Sequence, residues 1–239
     1  AMKYTTTGTD NTAIGKSALI ANTTGGSNVA VGRSALKSNT TEHDLVAVGK
    51  EALENNTGGS NQGVGFRALR ANTTGFNNTA TGKSALLSNT TGSNNVAVGG
   101  SALETNTTSS DHTATGFEAL KNNTSGSSNT AFGREALLSN TTASLSAALG
   151  RRALYANTTG SYNLAAGAYA LTSNTTSEDN VALGYSSLYS NTGRANTAAG
   201  RSTLYNNTSG QENVALGTWS MTANTTANNN TAVGYASLE

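Results

Sequence analysis

Very few side chains in this chain are able to carry chemistry. There are two histidines, His43 and His112, and no cysteine, so neither a thiolate nucleophile nor a thiolate metal site exists. The acidic residues Glu42, Asp44, Asp111, Glu178, Asp179 and Glu212 make no paired set. Glycoside hydrolysis needs two carboxyl groups about 5–9.5 Å apart, and no Asp or Glu column supplies them. Gly25-Gly26-Ser27 and Gly58-Gly59-Ser60 have the small residues of a phosphate-binding turn but lack its Lys and following helix. Asn-x-Thr, the acceptor pattern for N-glycosylation, recurs along the chain. These groups meet only if the backbone returns them to one place, so the elements that position them decide the matter.

Those elements form a repeat. Glycine recurs at 15, 32, 49, 65, 82, 99, 116, 133, 150, 167, 184, 200, 217 and 234, a step of 17 residues with two steps of 16. Both short units lose the second Thr of Asn-Thr-Thr, at Asn56-Thr57-Gly58 and Asn191-Thr192-Gly193. A site that accepts deletion reads as an outer turn. Each unit is approximately Asn-(Thr/Val)-Ala-(Val/Ile)-Gly-x-x-Ala-Leu-x-x-Asn-Thr-Thr-Gly-x-x. Leucine holds one column at Leu19, Leu36, Leu53, Leu69, Leu86, Leu103, Leu120, Leu137, Leu154, Leu171, Leu188 and Leu204, with Met221 substituting before Leu238. A second column carries Asn22, Asn39, Asn89, Asn106, Asn140, Asn157 and Asn174.

Two apolar strokes of four or five residues per unit are too short for helices and fit two short strands between turns. A helical repeat is disfavoured by a glycine in every unit and by poor helix formers throughout. The fold expected is an all-β parallel solenoid of about 14 coils. Residues 1–10 are a lead-in, and 11–239 form a single repeat domain. Coils stacked at roughly 4.8 Å give a rod on the order of 65 Å long. Neighbouring coils bury one another's faces, with leucine as the apolar spine and Asn bonding its copy in the next coil. Glycans on every coil, about 5 Å apart, would collide, so the Asn column reads as a structural ladder. His43 and His112, four coils and about 19 Å apart, read as solvated turn residues that share no metal or catalytic dyad within one chain.

Composition excludes several classes. Hydrophobic residues are 35%, aromatics 5% and charged residues 11%, with a net charge of +1. That balance gives no electrostatic footprint for nucleic acid or an anionic membrane. No apolar run is long enough to span a bilayer. The opening Ala1-Met2-Lys3 has no features of an export signal, so any such signal is expected to be trimmed or to lie elsewhere. No cofactor and no catalytic residue are expected.

Alternation in the first stroke puts the Ala13 column on one face and the Thr12 and Ile14 columns on the other. Ala18 and Leu19, read as the second strand, also point to opposite faces. Apolar groups on both sides of a thin sheet would leave a long stripe in water. Association along the rod removes it, and a closed threefold arrangement is the natural symmetry. A threefold axis would also bring three copies of Asn78 or of His112 together, the one geometry that leaves an ion site open.

The two residues after each glycine and the one after each leucine are expected to face outward. They are mainly basic, small or acidic early on (Lys16, Arg33, Lys50, Arg67, Lys83, Arg134) and aromatic later: Tyr155, Tyr169, Tyr185, Tyr189, Tyr205, Trp219 and Tyr235, with Tyr162 in a turn. Such rings either stack on sugars or anchor a partner, or merely shield the strand ladder.

The units NTAIGKSAL, NVAVGRSAL and NVALGYSSL resemble the YadA-like head repeats of trimeric autotransporter adhesins. They resemble still more closely the NTAxGxxAL…NTTG repeats of phage tail fibres and related bacterial surface fibres. The resemblance covers 11–239, although YadA-like repeats are shorter, so either a longer outer loop or a different cross-section is expected here. It implies a left-handed β-roll, three chains wide, in a fibre at a cell surface or on a virion. Its implied role is attachment to cells or glycans, without membrane insertion or nucleic acid. The rival expectation is an ice-binding solenoid with the Thr23–Thr225 column as its flat face.

Overall fold

The computed structural model describes residues 1–238 and divides into two compact units, Ala1–Glu118 and Ala119–Glu239. Each is a β-solenoid with one three-residue strand per coil. The first unit holds β1 (Thr12–Ile14), β2 (Val29–Val31), β3 (Val46–Val48), β4 (Gln62–Val64), β5 (Thr79–Thr81), β6 (Val96–Val98) and β7 (Thr113–Thr115). The second holds β8 (Thr130–Phe132), β9 (Ala147–Leu149), β10 (Leu164–Ala166), β11 (Val181–Leu183), β12 (Thr197–Ala199), β13 (Val214–Leu216) and β14 (Thr231–Val233). Within each unit, consecutive strands pair in parallel with like positions aligned, as in Ala13↔Ala30 and Ala182↔Ala198. No helix occurs among the described residues. The chain before β1 already stacks on the coil above it, with Met2 N–H donating to Ala18 O and Thr6 N–H to Thr23 O.

The second apolar stroke is not a strand. Ala18 and Leu19 lie in a turn, and both are fully buried instead of pointing to opposite faces. The cause is a left-handed backbone at the leucine, φ 49° at Leu19 and 50–52° at Leu53, Leu103 and Leu154. That twist turns the chain inward and places two consecutive side chains in the core. A left-handed L-residue costs about 1–2 kcal/mol. Burying the leucine returns about 1.5–3 kcal/mol, and its N–H bonds the alanine carbonyl of the next coil, as in Leu19 to Ala35 at 2.9 Å. Burial and hydrogen bonding together exceed the strain.

The glycine that ends each strand is required by both conformation and space. Gly49 has φ 135°, and a Cβ there would lie 2.4 Å from Gly65 O.

The interior is lined by the strand alanines, the turn alanines, the leucines and buried Asn. Asn89 shows how the polar part is satisfied. Its Nδ2 donates to Asn72 Oδ1 (2.8 Å) and to Gly92 O (2.9 Å), while its Oδ1 accepts from Asn106 Nδ2 (3.0 Å). In the short coils the same Asn reaches a carbonyl two residues on, as Asn56 does to Gly58, instead of three. The missing Thr is thereby absorbed without breaking the ladder.

Candidate functional site: the outward columns

The outward surface of each coil has a strand face and, past the glycine corner, a turn face. On the strand face the column at the third strand residue is apolar and exposed in most coils, interrupted by Thr81 and Thr115 in the first unit and by the smaller Ala166 and Ala199 in the second. In the first unit it carries Ile14, Val48, Val64 and Val98; in the second, Phe132, Leu149, Leu183, Leu216 and Val233. The opposite side of each strand is filled by the same chain, and this column is left facing solvent.

The turn face differs between the units. In the first unit it is an ion-pair lattice. Glu51, only 6% exposed, takes Arg67 (2.8 Å), Arg33 (3.3 Å), Arg70 (3.6 Å) and Lys50 (3.7 Å), while Glu54 takes Arg70 and Lys37. The Arg67 hydrogen bond, against the opposing effect of burial, holds the Glu51 carboxyl below its ordinary range. Glu51, Ser84, Glu135 and Ser186 are buried, so the second residue after the glycine does not project outward in those coils. It lies against the turn beneath longer neighbours. The sequence reading of that position as outward is corrected there.

In the second unit the turn face is aromatic and basic. Tyr189 and Tyr205 are stacked, with ring centroids 5.0 Å apart and planes 6° from parallel. Tyr169–Tyr185 and Trp219–Tyr235 meet edge to face at 5.9 and 5.5 Å. Arg152 lies over Tyr155 at 5.1 Å and Arg151 over Tyr169 at 5.5 Å. Arg201 lies between Tyr185 and Trp219, at 5.9 and 6.0 Å. Tyr162 stands apart, exposed in the outer turn at φ 60°. Arg152 is also hydrogen-bonded to Glu135, and chiefly for that reason the Glu135 carboxyl sits below its ordinary range. The pairing of these rings with arginines was missed in the sequence, although aligning the coils puts Arg151, Tyr185 and Arg201 in one column.

His112 is buried, 1% exposed, not a solvated turn residue. It occupies the second buried Asn column (Asn28, Asn61, Asn78, Asn95), and its backbone N–H donates to Asn95 Oδ1 at 3.1 Å. That column was also missed as a ladder. In it each Asn Oδ1 accepts from the backbone N–H one coil on, as Asn61 does from Asn78 at 2.9 Å. His43 is exposed, and its Nδ1 accepts from Gly26 N–H at 3.0 Å.

The outer threonines have a defined partner as well. Thr23, Thr57, Thr73 and Thr90 each donate their hydroxyl to the Thr carbonyl one coil on, at 3.0 Å. Among the described residues no cluster of His, Asp or Glu is arranged to hold a metal, and no helix is long and apolar enough to cross a membrane. No protein-family model matches the chain, and a search of curated proteins finds no match.

Proposed function

We propose that this chain is a structural, adhesive fibre segment that works outside the cell or on a virion as a homotrimer joined along its strand faces. The observation that carries the reading is the exposed apolar column. Val48, Val64 and Val98, and then Leu149, Leu183 and Leu216, stay in water although the interior beneath them is complete. The stripe recurs in most coils at one register, and parallel copies of one chain would cover it in register.

Size sets what else must take part. Over seven coils the stripe is about 30 Å long and 7 Å wide, roughly 200 Å² and below the ~800 Å² per partner of a stable interface. Association therefore has to engage the neighbouring Val29 and Val46 column and further surface beside it, since two such columns together offer only about 400 Å². The resemblance of the repeats to adhesin and tail-fibre repeats points the same way, and so does a repeat architecture that offers long surfaces in place of a catalytic cleft.

Light scattering tests the proposal. A molar mass near three times 24.1 kDa is expected, and Val64→Lys with Val98→Lys should yield folded monomers. A wild-type monomer at working concentrations would overturn it. Ice binding is the less supported reading, because the Thr hydroxyl protons are committed along the stack and the strand face mixes Thr with Val, Gln and Phe. Thermal hysteresis at millimolar concentration would be the sign of it.

A further inference from the structure

The two units treat their exposed arginines differently. In the first, Arg33, Arg67 and Arg70 are neutralised by Glu51 and Glu54. In the second, Glu135 holds Arg152, whereas Arg151 and Arg201 have aromatic neighbours and, among the described residues, no carboxylate partner. Both are exposed, three coils apart in the same column, so about 14 Å apart along the stack. Tyr185 lies in that column between them, 51% exposed, and Trp219 lies beside Arg201, 38% exposed.

An aromatic ring under a guanidinium limits its motion and leaves the in-plane N–H donors facing outward. Those donors fit the two oxygens of a carboxylate or sulfate. The rings offer apolar surface beside each charge, with polar tips at the tyrosine hydroxyls and the tryptophan N–H. Charge, apolar surface and linear repetition then select one class of ligand.

Resting on the adhesive reading, we propose that this face binds an acidic glycan, a polysaccharide bearing carboxylates or sulfates. Arg151 and Arg201 take the anionic groups, and Tyr185 and Trp219 contact the sugar rings. A single-stranded nucleic acid shares the anionic chemistry but cannot insert a base between these rings. A base inserted between two rings needs about 6.8 Å, two base steps of 3.4 Å, and the ring pairs here are 5.0–5.9 Å apart. Many weak contacts along a polymer would add through avidity.

The test is binding of the full chain to immobilised polygalacturonate, dextran sulfate, neutral dextran and oligothymidylate at low and moderate salt. Binding to both acidic polysaccharides, weakening with salt and at least tenfold weaker for dextran, is expected. Arg151→Gln with Arg201→Gln, and separately Tyr185→Ala with Trp219→Ala, should each lose at least tenfold with thermal unfolding unchanged. Equal binding to dextran, or an unaffected Arg double variant, overturns the acidic assignment. Preference for oligothymidylate overturns it in favour of nucleic acid, and no binding to any polymer overturns it outright. Loss of thermal stability in the aromatic variant would put those rings in packing and remove them from the site. Light scattering on the same samples reports the trimer separately, so a failed ligand assignment and a failed fibre reading are distinguishable.

Discussion

Leu86 lies in the middle of the first unit, fully buried, with φ 50° and its N–H bonded to Ala102 O at 2.9 Å. Leu86→Ala opens a cavity that cannot collapse, because Leu69 and Leu103 hold the same position one coil away on either side and their backbones are bonded in turn. Such truncations cost about 2–5 kcal/mol, and this site should lie near 3. Leu86→Gly is the more discriminating change. At an ordinary position glycine would be worse than alanine by about 1.5 kcal/mol, from one further carbon (~0.8) and backbone entropy (~0.7). Here glycine also removes the left-handed strain of about 1–2 kcal/mol. The two variants should therefore be equally stable within about 0.5 kcal/mol. Urea unfolding followed by far-ultraviolet circular dichroism, compared at a common m-value, reads the difference. A glycine variant less stable than the alanine variant by about 1.5 kcal/mol would refute the claim that the left-handed backbone at this position is strained.

Three further outcomes follow from the same architecture. Gly82→Ala puts a methyl 2.5 Å from Gly99 O at φ 136°, and calorimetry should show a loss on the order of 3 kcal/mol or more. Asn89→Asp replaces a donor facing two acceptors by an acceptor, costing about 2–4 kcal/mol at pH 7. Its deficit should shrink on acidification, since the protonated acid regains one donor; a pH-independent deficit would contradict the ladder geometry. Glu51 and Glu135 have carboxyl pKa values lowered in the folded state. Their contribution is complete above the unfolded value of about 4.3 and is lost as pH falls through the folded value. Melting temperature should therefore change little from pH 7 to about 5 on their account and fall below about 4.3, less steeply in Glu51→Gln with Glu135→Gln.

A solenoid of this kind has to satisfy polar groups in its interior as well as apolar ones. Leucine and alanine fill one side of the coil. Two Asn columns serve the other, where glycine and serine carbonyls turn inward. Gly25 O accepts from both Asn11 and Asn22, and Ser109 O from both Asn95 and Asn106. Each side-chain amide replaces water that the coil has excluded, and because two amides converge on one carbonyl, only loss of both would leave it unpaired, at about 1–3 kcal/mol.

The period, the class of fold, the turn that tolerates a shorter unit, the Leu column and the first of the two Asn columns were all legible in the sequence. Each follows from identity repeated at fixed spacing, and stacking like residues is the arrangement that lets so short a unit bury anything. The sequence could not determine the sign of φ at Leu19, because leucine carries no mark of a left-handed turn as glycine does. Only closure of the coil forces that conformation, and with it the burial of Ala18 and Leu19 side by side. Closure also put His112 inside and drew Glu51 beneath four cations. It set Arg151 and Arg201 over aromatic rings contributed by neighbouring coils. Those neighbours are 16–18 residues away in the chain and adjacent only across the stack, so their contacts belong to the tertiary structure.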